Sequence, residues 1–144
     1  MPILRVALPV PLRQHFDYEL ETDTEQSVCI GARVLVPFGS RQLVGVVWQL
    51  DPTDSFSGAG LKKVTQVLDP QPVFDNLLRD LLSFAADYYH HPLGEVLTAA
   101  LPALLREGRE LSAYQPTSYR LTAEGAAAKL SDFSRSPKQA ALWQ

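Results

Sequence analysis

The chain has 144 residues, of which 46% are hydrophobic and 20% are charged, and its formal net charge is −3. This balance is typical of one ordinary globular domain or two small ones and argues against global disorder. A net negative chain does not coat long nucleic acids by neutralising phosphates, so any nucleic-acid binding must rest on a local site. The single cysteine, Cys29, excludes an internal disulfide and is expected to be a small buried or half-buried filler.

Residues 1–70 are predicted to be mainly β. The segment "ILRVALPV" predicts a first strand that ends or becomes an edge at its prolines, and "FDYEL" predicts a short second strand. The run "GARVLVPFGSRQLVGVVWQL" predicts a hairpin that turns at "PFGSRQ", with Gly45 marking a bulge or a close backbone approach. Two polar loops, "ETDTEQSV" and "DPTDSFSGAG", interrupt this region, and "LKKVTQVLD" predicts a strand or extended arm.

Residues 71–108 are predicted to be mainly helical. The run "DNLLRDLLSFAADYYHH" has helical spacing of its apolar residues, and Pro92 ends that helix. A second helix, "PLGEVLTAALPALLREG", is interrupted at Pro102 and ends at Gly108. The apolar stripe of the first helix has two open interpretations: burial against the β part, or a packing surface for other parts of a longer protein.

Residues 109–144 hold five basic and three acidic residues and form the only net-positive segment. They predict a short strand at Ser118 to Leu121, a helix capped near Thr122, and a further helix with Ser136 as its N-cap and Pro137 at its first position. About 35 residues are too few to bury a core alone. We therefore expect the sequence to be a piece of a longer protein.

No motif for catalysis stands out in this sequence. Phosphate-loop, dinucleotide-binding and nucleophile-elbow patterns are absent, as is any zinc-ligand spacing. The adjacent His90 and His91 would diverge by about 100° on a helix, which disfavours a shared metal ion. There is also no apolar run of 18 residues and no basic leader, so we expect a cytoplasmic protein that does not contact a membrane. Recognition is the predicted role, without catalytic residues, metal or cofactor in this segment.

Five stretches, in chain order, give the sequence a specific resemblance to the PriA family of primosomal replication-restart helicases (primosomal protein N′). They are "VALPVPLRQHFDYEL", "GARVLVPFGSRQLVGVV", "LKKVTQVLDPQPVF", "FAADYYHHPLGEVLTAALPALLREG" and "SPKQAALW". The resemblance covers nearly the whole chain and implies that residues up to about 108 are a 3′-end DNA-binding domain. It implies that residues 109–144 are the start of a winged helix. The family continues into helicase lobes and a cysteine-rich zinc region, which implies ATP, Mg and Zn for the full-length protein.

The resemblance also implies a pocket for the 3′-terminal nucleotide, and each of its residues has a plausible chemical role. Rings at 16 and 18 would stack on a base, the Asp17 carboxylate would accept hydrogen bonds from base N–H groups, and a glycine would let the nucleotide approach the backbone. A lysine would pair with a phosphate or hydroxyl oxygen. The implied pocket residues are Phe16, Asp17, Tyr18, Gly39 and Lys62.

Other interpretations of these residues stay open. Asp17 also fits an ordinary acceptor for loop amides, and the two flanking rings fit a core, so we expect Tyr18 to pack and to offer backbone groups more than its ring. A register shift of one residue exchanges Lys62 with Lys63. Arg41, on the same turn as Gly39, is a further phosphate candidate.

The sequence thus predicts an α+β fold with three parts: mainly β (1–70), helical (71–108) and an incomplete winged helix (109–144). The β part is expected to be barrel-like, similar to OB or formyltransferase C-terminal folds. The predicted function is recognition of the 3′-terminal nucleotide of a nascent leading strand at a stalled fork, positioning a 3′-to-5′ helicase. Expected partners are DNA with a free 3′ end and forked DNA and, by resemblance, primosome proteins and single-stranded DNA-binding protein at the bacterial nucleoid. The alternatives are a protein-interaction barrel or a barrel that binds structured RNA.

Overall fold

The computed structural model describes residues 2–21, 28–53, 60–111, 118–133 and 138. The chain divides into two compact units, Met1–Tyr114 and Gln115–Gln144. Among the described residues, no helix combines the length and the apolar character needed to cross a membrane. The predicted acidic loop and most of the "DPTDSFSGAG" loop lie outside the described residues.

A five-stranded antiparallel sheet forms the first unit and confirms the predicted α+β class. Its strands are β1 (Ile3–Ala7), β2 (Phe16–Glu19), β3 (Arg33–Phe38), β4 (Arg41–Leu50) and β5 (Gln66–Val67), in the spatial order β2-β1-β4-β3-β5. β1 ends before the first proline of "LPVPL", because proline lacks the amide donor that a ladder needs. The "LKKVTQVLD" arm contributes β5, so its extended prediction is also confirmed.

The β3–β4 hairpin turns through Gly39 and Ser40, as the sequence predicts, and its register is regular along the whole of β3. Gly45 is therefore not a bulge; a Cβ there would lie 2.4 Å from Val6 Cγ1, so the strand needs glycine for close approach. The register shift lies instead in the β1–β4 pairing, between Arg5 and Val6. It places two residues of one strand opposite one of its partner, which bends the sheet locally.

Two apolar clusters lie on opposite faces of the sheet because strand side chains alternate. One cluster contains Leu4, Val6, Val36 and Val47, and the other joins the neighbouring Ala7 and Val46 to the helices that follow. The first face forms the core of the β part, and the second carries the helical layer.

Three helices follow the sheet: α1 (Asn76–Tyr88), α2 (Leu93–Ala100) and α3 (Ala103–Arg106). Asp75 caps α1 by accepting the Leu78 amide at 2.7 Å, and Pro102 separates α2 from α3 as predicted. Gly94 brings α2 onto the sheet, since a Cβ there would lie 1.8 Å from the carbonyl oxygen of Leu8.

The apolar stripe of α1 is not buried against the β part, which corrects the first of its two interpretations. Leu77 is 80% exposed, Phe84 62% and Tyr88 66%, whereas Ala86 is buried. On the other side of the helix, Leu82 packs against the cluster that contains Ala7 and Val46, and the Arg79 guanidinium lies over the Trp48 ring of β4. The other interpretation, a packing surface for parts of a longer protein, stays a prediction.

In the second unit, Thr122 caps the helix α4 (Ala123–Ala127) by accepting the Gly125 amide at 3.1 Å, as the sequence predicts. A 3₁₀ turn, Leu130–Phe133, follows. Residues 118–121 are not a strand, which corrects the prediction; they are exposed and have no partner strand among the described residues. The predicted helix start at Ser136 and Pro137 lies outside the described residues.

Candidate nucleic-acid interface

A cavity of about 300 Å³ opens where β2 begins and the β3–β4 hairpin turns. All five residues that the sequence nominated for the pocket border it. Its lining consists of Phe16, Asp17, Tyr18, Pro37, Phe38, Gly39, Gly60, Leu61 and Lys62. Three segments that are distant in sequence therefore meet around one hollow.

Backbone hydrogen bonds bring the third segment to the cavity. The Glu19 amide donates to the Lys62 carbonyl at 3.0 Å, and the Val64 amide donates to the Glu19 carbonyl at 2.9 Å. One residue further on, the Thr65 amide donates to the Leu35 carbonyl of β3 at 2.9 Å. The arm before β5 thus holds both β2 and β3, which fixes Lys62 beside the end of β2.

Two aromatic rings form one wall of the cavity. Phe16 and Phe38 meet edge to face, with ring centroids 5.2 Å apart and an interplanar angle of 82°. Both rings are half-buried against the core of the β part, which holds them in place. Phe38 was not nominated from the sequence, although its position directly before Gly39 in the hairpin was a usable signal.

Tyr18 belongs to the core, as predicted. It is 4% exposed, and its hydroxyl donates to the Pro37 carbonyl at 3.2 Å. Burial raises the pKa of this phenol above its ordinary value. The hydrogen bond joins β2 to the end of β3, and both Tyr18 and Pro37 line the cavity.

Asp17 has a partner that the sequence analysis did not name. The Arg5 guanidinium donates to both carboxylate oxygens, from Nε to Oδ1 at 2.9 Å and from Nη2 to Oδ2 at 3.1 Å. The two residues lie opposite each other in the β1–β2 register, and alternation puts Asp17 on the opposite sheet face from Phe16 and Tyr18. The side chains are only 15% and 11% exposed, so the pair is largely shielded from water.

The aromatic neighbours of Asp17 therefore follow from strand alternation, with the rings on the core side and the acid on the side of Arg5. The Asp17 carboxylate accepts from the Arg5 side chain and not from loop amides, and it is not an unpaired acid. A carboxylate has about four acceptor positions, so two remain after the Arg5 bonds.

Of the two candidate lysines, Lys62 borders the cavity and Lys63 does not. Lys63 forms an ion pair with Glu21, and the hydrogen bond from this pair, with the charges of Glu21 and Glu19, raises the lysine pKa. Arg41 is exposed at the start of β4, opposite Phe38 in the register, and is not among the lining residues. Lys62 is thus the nominated cation that the fold brings to this hollow.

Gly39 lies at the tip of the turn with φ of +60°. That conformation costs other residues about 1–2 kcal/mol, so the turn itself favours glycine. A Cβ at this position would meet no atom within 4 Å, so the space beside Gly39 is open. Its turn role and its place on the cavity are compatible.

Comparison with known proteins shows which family this chain resembles. The model of the PriA 3′ DNA-binding domain (3′BD) matches residues 5–102. The Replication restart protein PriA of Haemophilus influenzae is 41% identical over 145 residues, covering 100% of this chain and 20% of that protein. The protein of the same name from Buchnera aphidicola (Acyrthosiphon pisum) is 30% identical over 139 residues, covering 96% of this chain and 19% of that protein. The protein of the same name from Bacillus subtilis is 34% identical over 91 residues, covering 63% of this chain and 11% of that protein.

This chain spans about a fifth of the length of the first two relatives. The matched residues include β1 from Arg5 onward, all of β2 to β5 and the helices α1 and α2. The chain belongs to the PriA 3′ DNA-binding domain family.

Proposed function

We propose that residues up to about 108 bind the 3′-terminal nucleotide of a nascent leading strand in the cavity beside β2, and so position a replication-restart helicase at a stalled fork. Membership of a 3′ DNA-binding domain family supports a DNA end as the ligand. The observation that carries the proposal is the meeting of Phe16, Asp17, Tyr18, Gly39 and Lys62 around one hollow of about 300 Å³.

The chemistry of the lining suits a terminal nucleotide of any base. The half-buried Phe16 and Phe38 offer ring surface, and stacking of a base on an aromatic ring contributes about 1–3 kcal/mol with little sequence preference. Lys62 supplies a cation for a phosphate or terminal oxygen, and the open side of Gly39 admits the sugar close to the backbone. Asp17 would accept a further donor only while keeping its bonds to Arg5.

The β part is proposed to be a small barrel of the OB or formyltransferase C-terminal kind. The arm at residues 62–65 bonds to β2 on one side and to β3 on the other, which supports a closed rather than an open edge. Residues 109–144 are proposed to begin a winged helix that aids binding to forked DNA, in line with their net positive charge.

The test compares DNA strands that differ only at their end. Fluorescence anisotropy of 5′-labelled single strands should show binding at least about tenfold tighter for a 3′-hydroxyl than for a 3′-phosphate. A 3′-phosphate removes the terminal hydroxyl donor and brings negative charge next to the Asp17 carboxylate that borders the cavity. Equal affinity for the two ends would contradict the proposal. The matched control is a strand of the same length whose 3′-terminal nucleotide is base-paired in a hairpin, and it should bind more weakly than the strand with an unpaired 3′-hydroxyl.

The salt dependence separates the proposal from its rivals. We expect a shallow slope, worth about one or two phosphates, because the cavity holds one nominated cation. A steep slope, or tight binding of structured RNA without a free end, would favour the RNA-binding barrel. Absence of nucleic-acid binding under all these conditions would favour a protein-interaction module.

For the whole protein we propose an ATP-dependent helicase that moves 3′ to 5′ at forks in the bacterial cytoplasm and nucleoid. Its ATP, magnesium and zinc would bind parts of the protein beyond the matched residues. Primosome proteins and single-stranded DNA-binding protein are its proposed partners, as the resemblance to the family implies, and the name of the relatives adds a role in replication restart.

A further inference from the structure

The exposed side of α1 carries an apolar stripe that the 3′-end cavity does not use. The stripe consists of Leu77, Leu81, Phe84 and Tyr88, and each of these side chains is more than half exposed. The rings of Phe84 and Tyr88 stack on each other, with their centroids 5.6 Å apart. Single exposed apolar side chains are ordinary on a protein surface, whereas a continuous row of large ones indicates an interaction site.

The spacing of the stripe is that of a seam between paired helices. Its four residues are separated by four, three and four positions, the intervals at which apolar residues face a partner helix in a coiled coil. From Leu77 to Tyr88 the seam is about 17 Å long at 1.5 Å per residue, which is about three turns of an opposing helix. The geometry of the stripe therefore suits a second helix.

One flank of the stripe is acidic. Asp80 and Asp87 each come directly before a stripe residue and are seven positions apart, so both lie on the same side of the seam. Both are exposed, and neither takes part in an ion pair among the described residues, although Asp87 borders a cavity that Arg13 also lines. Arg79, the one basic residue of α1, lies on the other side of the helix over the Trp48 ring.

This charge pattern argues against a second copy of the chain as the occupant. In an antiparallel pair of α1 helices, the flanks that carry Asp80 and Asp87 would lie beside each other, and their like charges would repel. In a parallel pair, each acidic flank would lie beside the opposite flank, where Leu78 and Ala85 offer no positive charge. A helix with lysine or arginine beside its apolar seam compensates both aspartates.

We infer that the apolar stripe of α1 is a docking surface for an amphipathic helix of a partner protein. The partner helix has large apolar residues along its seam and lysine or arginine on the flank that meets Asp80 and Asp87. The stripe and the 3′-end cavity share no residue, so the inference does not rest on the proposed DNA function.

The probes for this surface are two synthetic peptides with leucine at the seam positions. Their length is about 18 residues, because shorter isolated helices are marginal in water. One peptide has lysine at the flanking positions and the other has glutamate, and the anisotropy of a fluorescent label reports their binding to the 144-residue chain. We expect the lysine peptide to bind at least about tenfold more tightly, with an advantage that shrinks as salt is added. Equal binding of the two peptides would contradict the inference.

Two variants with matched controls test the surface itself. Phe84→Ser interrupts the seam, and its control is Tyr119→Ser, which removes an exposed ring from the second unit. Asp80→Lys reverses a flanking charge, and its control is Glu107→Lys, an equal charge change at an exposed position just after α3. We expect Phe84→Ser and Asp80→Lys each to weaken binding of the lysine peptide about tenfold, and both controls to leave it unchanged. Because all four side chains are exposed, the melting temperatures should stay close to that of the wild type.

The remaining outcomes identify other occupants. Equal losses in Asp80→Lys and Glu107→Lys would mean that the peptide is attracted to a net negative chain in general, which would overturn the inference. A dimer in sedimentation equilibrium that Phe84→Ser dissociates would make a second copy the occupant. Binding of the lysine peptide to this chain but not to the full-length protein would mean that other parts of the same protein cover the stripe. The preference of Phe84→Ser for 3′-hydroxyl strands, measured separately, should match that of the wild type, so this inference and the proposed function fail independently.

Discussion

Arg5 and Asp17 lie directly opposite each other on β1 and β2 and are joined by two hydrogen bonds of 2.9 and 3.1 Å. Arg5 is anchored in the middle of the sheet, because β1 also pairs with β4. The acid next to the candidate nucleotide cavity is therefore positioned by the sheet itself. A change at Asp17 has to affect both the fold and any ligand that reaches the carboxylate.

We expect Asp17→Ala to lower the free energy of unfolding by about 1–3 kcal/mol, because it leaves a partly buried guanidinium without its acceptor. Urea denaturation of the wild type, both single alanine variants and the Arg5→Ala/Asp17→Ala double variant measures the coupling between the two side chains. The double variant should lose less than the sum of the single losses. Additive losses would show that the two groups do not support each other.

The same variants separate the structural role of Asp17 from a contact with DNA. If Asp17 also accepts a hydrogen bond from the terminal nucleotide, Asp17→Ala should weaken binding of a 3′-hydroxyl strand about tenfold more than Arg5→Ala does. Binding is measured at a temperature where both variants are folded. Equal weakening would assign the effect to the shared loss of sheet geometry.

Lys62 and Lys63 form a natural pair of matched variants, because only Lys62 borders the cavity. We expect Lys62→Met to weaken binding of a 3′-hydroxyl strand about tenfold and to reduce the salt slope by about one. Lys63→Met removes the same charge from the adjacent position, and its own partner is Glu21, so its affinity should stay near that of the wild type. Equal losses in both variants would indicate a general electrostatic effect instead of a contact in the cavity.

Local patterns carried most of the fold prediction. Strand alternation, the hairpin turn at Gly39 and the breaks at Pro92 and Pro102 are properties of neighbouring residues, and each appears where expected. The β1–β2 register was harder, because which residue of one strand faces which of the next depends on the loop between them. For that reason the sequence does not identify Arg5 as the partner of Asp17, although the register places the two residues opposite each other.

The exposure of α1 shows the limit of such patterns. Periodicity reports that Leu77, Leu81 and Phe84 share one side of a helix, but it does not report what lies opposite that side. In this fold these residues are exposed, and Leu82 is the leucine of α1 that packs against the cluster on the sheet, together with α2 and Phe74.

Gly39 allows the space beside the turn to be tested without disturbing the turn. Asparagine tolerates the left-handed conformation better than other residues with a Cβ, and a side chain at this site meets no atom within 4 Å. We expect Gly39→Asn to change the melting temperature little and to weaken binding of a 3′-hydroxyl strand about tenfold or more, because it fills the approach to the cavity. Unchanged affinity in a folded variant would show that the nucleotide does not pass this side of the turn.

Tyr18 should make stability fall at alkaline pH. Burial raises its pKa in the folded protein, so above about pH 10 the unfolded chain loses the phenolic proton while the native state retains it. The stability due to the protonated phenol is complete below that pH and is lost as the pH rises through the folded pKa. Tyr18→Phe should cost about 0.5–1.5 kcal/mol near neutral pH, for the lost bond to Pro37, and this disadvantage should shrink above pH 10.

Urea denaturation of both proteins between pH 8 and pH 11 measures the effect. A gap between wild type and Tyr18→Phe that stays constant across this range would show that Tyr18 ionises equally in both states.

A second ion pair, Arg33 with Asp69, ties the end of the helical layer to the sheet. Its side chains are 0% and 1% exposed, and Arg33 donates to Asp69 Oδ2 from Nε at 2.7 Å and to Oδ1 from Nη2 at 2.7 Å. The same guanidinium also donates to the carbonyl of Leu105, within α3, and to that of Arg109, just after α3. We expect Asp69→Ala to cost about 3–5 kcal/mol, because a buried charge loses its counter-ion.

The apolar replacement Arg33→Met/Asp69→Leu should be less harmful than Asp69→Ala alone, since it removes both buried charges. Glu95→Ala, which breaks the exposed His91–Glu95 pair, is the matched control and should cost about 0–1 kcal/mol. Hydrogen exchange adds a local measurement, in which amides of residues 105–109 should lose protection in both Asp69→Ala and the double variant. Asp69→Ala removes the carboxylate that holds the Arg33 guanidinium in place, and the double variant removes the guanidinium. Retained protection there, together with a small loss of stability in Asp69→Ala, would mean that the helical layer is held by its apolar contacts through Leu97 and Leu101 and not by this buried pair.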